Sequence, residues 1–221
     1  HEKAKKAFVV WITATDGNVF VQTGAGNTGL LTLLNSINAG SGDITLTADA
    51  MTFSGGANSI GGPSGTLGAL TIQPVTASRP IEIGIASGTG TVGSLSLNDA
   101  EILAFRDGLS RITIGVANGT GAVSVLSSTF TDPVNILSGT SGTITVGDTV
   151  DLGAVSTGGN DLLLYSGGLI TLNTNVSAGA GTIRLRSGAG ITQPGPGIVT
   201  ASSLGVDAAD DVFMASVANS V

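Results

Sequence analysis

Residues 168–193 read GLITLNTNVSAGAGTIRLRSGAGITQ, and this stretch decides the fold. Aliphatic and polar residues alternate in Ile170-Thr171-Leu172 and again in Ile183-Arg184-Leu185. Alternation with a period of two places the aliphatic side chains on one face of a strand and the polar ones on the other. Gly-rich turns separate the two phrases, so each predicted strand is short and has one face suited to burial.

The same phrase returns along most of the chain. Its copies are Ile44–Thr47, Leu70–Ile72, Ile81–Ile83, Leu95–Leu97, Ile112–Ile114, Val123–Val125, Ile144–Val146, Ile170–Leu172 and Ile183–Leu185. No single copy can bury its own apolar face, so the series predicts strands stacked around one continuous core, as in a solenoid.

The spacing of the phrases indicates the kind of solenoid. Ile170 and Ile191 are separated by the same interval as Ile183 and Leu204. This interval, about 21 residues, suits one solenoid turn that contains two or three short strands. The sequence therefore predicts an all-β parallel β-helix of about ten turns, roughly 50 Å long at the usual strand spacing.

Composition narrows the class of protein. The 221 residues include 35 glycines and no cysteine, and the formal net charge is -7. All three lysines lie in the first six residues, which leaves five arginines against fourteen acids in the rest of the chain. This balance argues against a basic nucleic-acid-binding face, and the lack of cysteine excludes disulfides and thiol chemistry. No apolar run approaches the length of a membrane span, so this segment is not expected to insert into a membrane.

The domain organisation follows from the even composition beyond residue 18. We interpret residues 1–6 as a leader or tag-like segment and residues 7–221 as a single β-helix repeat domain. One segment departs from the β pattern, near residues 98–108. Asn98 and Glu101 form a capping-box pattern, Leu97 and Ile102 a hydrophobic staple, and Gly108 a terminator, so we predict a helix of two to three turns. This helix is expected to pack on the solenoid, with binding to another protein as the alternative.

Catalytic chemistry finds little support in the residue types. His1 is the only histidine, which removes Ser-His-Asp chemistry, a histidine base and histidine metal ligands. Two pairs of acids, Asp148 with Asp151 and Asp210 with Asp211, are the near neighbours that glycoside hydrolysis could use. Adjacent residues of a strand point to opposite faces, so we interpret these acids as solvent-facing corner residues. No residue is assigned as catalytic, cofactor-binding or metal-ligating.

Three further features carry weaker functional hypotheses. Arg184 and Arg186 share a strand face, but the sequence around them contains no acid. Gly158–Leu162 is similar to one arm of a calcium-binding nonapeptide roll, and Ca²⁺ is therefore the one candidate cofactor. A lone copy favours a plain turn, because such sites need tandem copies. Trp11 and Tyr165 could stack on sugar rings, although core or end-cap filling is the predicted role.

The repeat phrases resemble a known class of proteins. Gly42–Ala48, Gly168–Asn173 and Gly188–Gln193 resemble repeats of filamentous-haemagglutinin-like and autotransporter-type bacterial surface proteins. Leu95–Gly115 also looks like a recurring unit of very large bacterial repeat proteins. The resemblance covers roughly residues 18–215. It implies a right-handed coil, export across the outer membrane, and a role in adhesion, biofilm or a surface layer.

The expected function is therefore that of a non-catalytic structural or adhesive segment of a large bacterial cell-surface or secreted protein. Its expected partners are neighbouring repeats of the same chain or other copies of it, with surface polysaccharide or host glycans as further candidates. Two alternatives stay open. One is a carbohydrate-active β-helix enzyme, a polysaccharide lyase or a glycosidase. The other is a self-assembling filament subunit that stacks end to end.

Overall fold

The computed structural model describes residues 7–9, 11–25, 29–63, 65, 67–147, 155–216 and 218–221. Within these ranges the regular structure is almost entirely β, and parallel strands stack as a β-solenoid of about nine turns. The predicted fold class is confirmed. The predicted count of ten turns is slightly too high, because several turns are longer than the regular ones from which the count was made. The leader or tag-like segment, residues 1–6, lies outside the described residues.

The strands are β1 (Ala7–Val9), β2 (Ile12–Thr13), β3 (Val19–Gln22), β4 (Leu30–Leu33), β5 (Ile37–Asn38), β6 (Ile44–Thr47), β7 (Ala50–Phe53), β8 (Ile60–Gly61), β9 (Leu67–Gln73), β10 (Ile81–Ile85), β11 (Leu95–Asn98), β12 (Leu109–Val116), β13 (Val123–Val125), β14 (Ser128–Thr129), β15 (Val134–Ser138), β16 (Ile144–Val146), β17 (Val155–Ser156), β18 (Leu162–Ser166), β19 (Ile170–Leu172), β20 (Val176–Ser177), β21 (Thr182–Ser187), β22 (Ile191–Gln193), β23 (Val199–Thr200), β24 (Ser203–Ala208) and β25 (Val212–Met214). The helix is α1 (Asp99–Ile102).

The strands line three faces of the coil. The long face is one sheet of eight strands in the order β3-β6-β9-β12-β15-β18-β21-β24. The second face holds the sheet β1-β4-β7 and the sheet β11-β10-β13-β16-β19-β22-β25. The third face holds the sheets β2-β5-β8 and β14-β17-β20-β23. Each regular turn thus contributes one strand to each face.

The register explains the spacing seen in the sequence. Leu162 pairs with Ile183, and Ile183 pairs with Leu204, so the predicted repeat interval is confirmed there. Elsewhere the turns are longer, as between Ile44 and its partner Leu70. The ladders constrain only the strand residues, whereas the corners between faces accept extra residues at a small entropic cost.

The core is built from columns of aliphatic side chains. On the long face one inward column runs through six successive turns without any exposed member: Leu46, Ile72, Ile114, Ile136, Leu164 and Leu185. Full burial of each such side chain contributes about 1.5–3 kcal/mol, before the cost of ordering the chain. The columns therefore hold successive turns in register as well as together.

A second column, of buried serines, closes the corner between the long face and the second face. Ser138, Ser166 and Ser187 occupy equivalent positions at the ends of their strands. Each hydroxyl donates to a glycine carbonyl of the corner, for example Ser166 to Gly142 at 2.6 Å. These bonds engage carbonyl groups of the corner, and the Gly142 carbonyl accepts a second bond from the amide of Gly168.

The chain does not enter the second face in sequence order at every turn. After β9 the chain forms β10 and turns back through residues 86–94. It then forms β11 on the edge of β10 that faces away from β13. Ile81 therefore pairs with Leu95 on one side and with Val123 on the other. As a result, Leu70 and Ile112 are neighbours on the long face although β10, the returning segment, β11 and α1 all lie between them in the sequence. The alternating pattern alone predicts each strand but not this reversal.

Glu82 holds the returning segment against the second face. Its carboxylate accepts hydrogen bonds from the amide and hydroxyl of Thr91 and from the hydroxyl of Ser96. Burial on its own would raise the pKa of Glu82, but these bonds stabilise the ionised form and lower the pKa below its ordinary value. The ionised form of Glu82 therefore holds residues 86–94 against the second face.

The helix is present but shorter than the sequence predicts. Both halves of the capping box form: the amide of Glu101 donates to the Asn98 side chain, and the amide of Asn98 donates to the Glu101 carboxylate. However, α1 is a single turn, and Gly108 does not terminate it. The predicted two to three turns are wrong.

Competition from the third face ends the helix early. Phe105 forms a parallel bridge to Ile60, and the amide of Arg106 donates to the Ile60 carbonyl at 2.9 Å. The amide of Ile60 in turn donates to the Ala104 carbonyl. These backbone groups would belong to the second turn of a longer helix, so extending the helix would break the ladder.

We expect replacement of Leu164 by Ala to lower the free energy of unfolding by about 2–5 kcal/mol, because it opens a cavity in the aliphatic column. Leu163→Ala is the matched control, since this neighbour points outward and is half-buried. It should cost only about 1 kcal/mol. Urea denaturation followed by circular dichroism measures both, and equal losses would contradict the assignment of inward and outward faces.

We also expect the segment 86–94 to loosen in acid. The pKa of Glu82 is lower in the folded chain, so its stabilising effect is present at neutral pH and is lost as the pH falls below 4.5. The amide resonance of Thr91 should titrate in this range by NMR, and Glu82→Gln should abolish the titration. Asp99→Asn, which removes an exposed acid outside the loop, should leave it unchanged; a lost titration there would refute the role of Glu82.

Candidate functional site

The outer surface of the long face brings together side chains from distant parts of the sequence. Since Leu162 and Leu164 point inward, Leu163 points outward, and the register stacks it between Asn135 and Arg184. Tyr165 lies in the next outward column, beside Arg186. These columns follow from the alternation of the strands, because burying one set of side chains turns the other set to solvent.

A shallow hollow of about 290 Å³ lies on this surface, and we call it the arginine groove. Its lining residues come from the corner and strand positions of four consecutive turns: Arg111, Pro133, Asn135, Asp161, Leu162, Leu163, Thr182 and Arg184. The chemistry of the lining is mixed, with two guanidinium groups, one amide, one carboxylate and an apolar floor. Such a lining suits recognition of a polar ligand with both charged and apolar parts.

The two groove arginines are exposed and available to a ligand. Neither Arg111 nor Arg184 makes a hydrogen bond or an ion pair with any residue in the described ranges. Asp161, by contrast, is engaged by the backbone: one of its carboxylate oxygens accepts from the amide of Thr182 at 2.7 Å. The acid therefore ties two turns together, while the arginines are unpaired.

Arg186 is held differently from Arg184. It forms a salt bridge to Asp207 at 3.2 Å, and its guanidinium carbon lies 5.3 Å from the centre of the Tyr165 ring. The sequence around the two arginines contains no acid, but the ladder places Asp207, one turn further on, beside Arg186. Tyr165 is half-buried on the outside of the coil, so its predicted role in the core or an end cap is wrong.

The remaining candidate residues lie apart from this surface. Asp210 and Asp211 are exposed at the bend between β24 and β25, where the Asp211 carbonyl accepts from the amide of Ile191. Asp148 and Asp151 lie outside the described residues. Trp11 is 71% exposed, at the opposite end of the coil from β25. None of these described side chains reaches the arginine groove.

The motif at Gly158–Leu162 forms a turn whose polar groups bind the backbone. Asn160 donates to the carbonyls of Thr131 and Thr157, and Asp161 accepts from Thr182 as described above. Within the described ranges, no group of three or more acids, histidines or cysteines is placed to hold a metal ion. The amide nitrogen of Asn160 and one carboxylate oxygen of Asp161 are thus engaged in holding adjacent turns.

Two buried carboxylates belong to the fold rather than to a site. Desolvation raises the pKa of Glu101, although its carboxylate accepts from the amides of Asn98 and Phe53. Desolvation also raises the pKa of Asp132, whose carboxylate accepts from the amide of Gly108 at 2.9 Å. Both acids bind backbone amides where the chain departs from regular turns, next to α1 and β12.

The sequence alone singled out Arg184 but missed Arg111, Asn135 and Thr182. Arg111 lies on β12 and Arg184 on β21, so their approach depends on the register of four strands. The sequence did contain a signal that places Thr182 beside Asp161. The two residues are separated by the same interval as Ile170 and Ile191, which is one solenoid turn.

We expect calcium to leave the stability unchanged. The melting temperature should be the same in excess Ca²⁺ and in excess EDTA, because Asn160 and Asp161 already bind backbone groups. A ligand that binds only the folded state would raise it. A calcium-dependent rise that Asp161→Asn removes would instead establish a site at this turn.

Among the described residues, no helical segment has the length and apolarity that crossing a bilayer requires. No family model, curated protein or solved structure significantly matches this chain.

Proposed function

We propose that this chain is a non-catalytic structural and adhesive rod of a large bacterial cell-surface or secreted protein. The observation that carries the proposal is the unbroken sheet of eight strands over a continuous aliphatic column. Each turn packs mainly on its two neighbours, so the coil grows in length at a constant cross-section. About nine turns at the usual strand spacing give a rod of roughly 40 Å.

The distribution of apolar, polar and charged residues over the rod supports a role in presenting binding groups on its surface. Core positions are filled mainly by aliphatic side chains, whereas most of the charged groups lie on the outside, at corners or in outward columns. A rod of this kind can vary its outer surface without disturbing its core. Adhesive segments need this independence, because binding groups must be held at fixed spacing along a stiff support.

The hydrogen bonds and ion pairs of the surface acids favour a binding function over a catalytic one. Asp161 is bound to the amide of Thr182, and Asp207 is paired with Arg186. General acid or base catalysis needs a carboxylate that exchanges a proton with the substrate at a site shared with a second group. The acids beside the arginine groove hold turns together instead.

The proposed location is outside the bacterial cell. A cysteine-free chain held together by main-chain ladders and an aliphatic core does not depend on a reducing compartment. The resemblance of the repeats to bacterial surface proteins supports the same location. Proposed partners are neighbouring repeats, other copies of the chain and surface polysaccharide or host glycans.

A filament subunit is the second candidate, and the strands β24 and β25 favour it. Each pairs with one neighbour in the described chain, β21 or β22, and presents its other edge. Val206, Val212 and Phe213 on these strands are between 41% and 60% exposed. A strand of a second copy could add to these edges through main-chain hydrogen bonds.

Electron microscopy and binding assays on the purified chain test these proposals. We expect single rods of roughly 40 Å that bind to polysaccharide-coated beads or bacterial cells and release no soluble sugar. Filaments that disappear in Phe213→Asp but persist in Thr192→Asp, its neighbour in the ladder, would establish the second candidate. Release of oligosaccharides would overturn the non-catalytic proposal. Failure to bind any cell or glycan surface would overturn the adhesive one.

A further inference from the structure

The arginine groove carries a more specific inference, which rests on the proposed adhesive function. We propose that it binds an extended anionic polysaccharide, through carboxylate or sulfate groups, with the polymer running across the strands along the rod. The two groove arginines are the charged contacts, and Asn135, Asp161 and Thr182 are the contacts to sugar hydroxyls.

Charge is the first step of the argument. The chain is acidic overall, with a formal net charge of -7, and it has five arginines. Three of them lie on the outer surface of the long face, and of these only Arg186 is paired within the described ranges. Arg111 and Arg184 thus present two unpaired guanidinium groups within one groove. A planar guanidinium matches the geometry of a carboxylate or sulfate with two parallel hydrogen bonds.

The length of the surface is the second step. The strands of Arg111 and Arg184 are separated by β15 and β18, so they lie three strand spacings, or about 14 Å, apart along the rod. A second hollow of about 400 Å³ shares Thr182 and Arg184 with the groove and continues to β24. The combined trough crosses five strands. It fits a polymer better than a small molecule.

The third step is the match between the trough and a sugar chain. One sugar ring of an extended polysaccharide is similar in length to the spacing of about 4.8 Å between strands. Successive rings can therefore meet equivalent positions on successive turns. Between the arginines, Leu163 offers an apolar surface, and Asn135 offers an amide with both donors and an acceptor. The second carboxylate oxygen of Asp161 can accept from a hydroxyl.

The same features weigh against other polyanions and against peptides. Nucleic acid carries dense charge and calls for a basic stripe with stacking aromatic residues, whereas this groove sets one exposed acid beside two arginines. A peptide would ordinarily join an open strand edge, but β12, β15, β18 and β21 are each paired on both sides. Recognition here must come from side chains, and a polysaccharide with spaced charges satisfies that condition.

Binding of the purified chain to three polymers, measured by biolayer interferometry, tests the inference. Polygalacturonate supplies carboxylates, dextran sulfate supplies sulfates, and dextran supplies no charge. We expect binding to at least one anionic polymer and none to dextran. Arg111→Gln and Arg184→Gln should each weaken binding about tenfold. Raising the ionic strength from about 0.01 M to about 0.15 M should weaken it further, because the Debye length falls from about 30 Å to about 8 Å.

Thr13→Glu is the matched control for charge. It lowers the net charge by the same amount as an arginine-to-glutamine change, but at an exposed position of β2 on the third face. It should leave binding unchanged, and urea denaturation should show that all three variants are folded.

The outcomes separate this inference from the proposed function. Binding to polygalacturonate alone or to dextran sulfate alone would support the inference and name the charged group. No binding to either anionic polymer, or equal binding by the wild type and both arginine variants, would overturn the groove. Continued attachment to cells or neutral glycans would then leave the adhesive function standing.

Discussion

The parallel ladder between successive turns is the constraint on which the rest of this structure depends. Each strand of the long face hydrogen-bonds to the equivalent strand of the next turn, and the pairing has to keep every aliphatic residue facing inward. A slip of one residue would turn the whole inward set of that strand to solvent. The register between strands is therefore set by burial of the aliphatic side chains. The inward column from Leu46 to Leu185 is the result of this register.

This constraint acts on the strands and leaves the connections between them variable. The chain can lengthen a corner, as between Ile44 and Leu70, without moving either strand. It can also reverse the order of two strands, as β10 and β11 do, provided that both remain parallel and in register. Additional hydrogen bonds stabilise the reversed pair of strands. Glu82 supplies them on the outer surface, and the capping box of α1 supplies them at the end of β11.

The difference between the inward and outward faces of the strands also explains where functional side chains can lie. Inward positions are filled mainly by aliphatic side chains, with a column of serines at one corner, so most ionised groups are placed outward or at irregular turns. Outward groups on neighbouring turns become neighbours in space although a full turn or more separates them in sequence. The pairing of Arg186 with Asp207 and the grouping of Arg111 with Arg184 are both consequences of this stacking.

The sequence by itself determined the strand phrases, the parallel solenoid, the length of its regular turns, and the capping box at Asn98 and Glu101. These are local patterns, and each depends on residues close together in the chain. Only the tertiary structure decided the order of β10 and β11, the early end of α1 and the arginine groove. Each of these depends on which turn lies against which. The ladder between Phe105 and Ile60 overrides the helix pattern after Ile102, and the groove exists because four strands stack in one register.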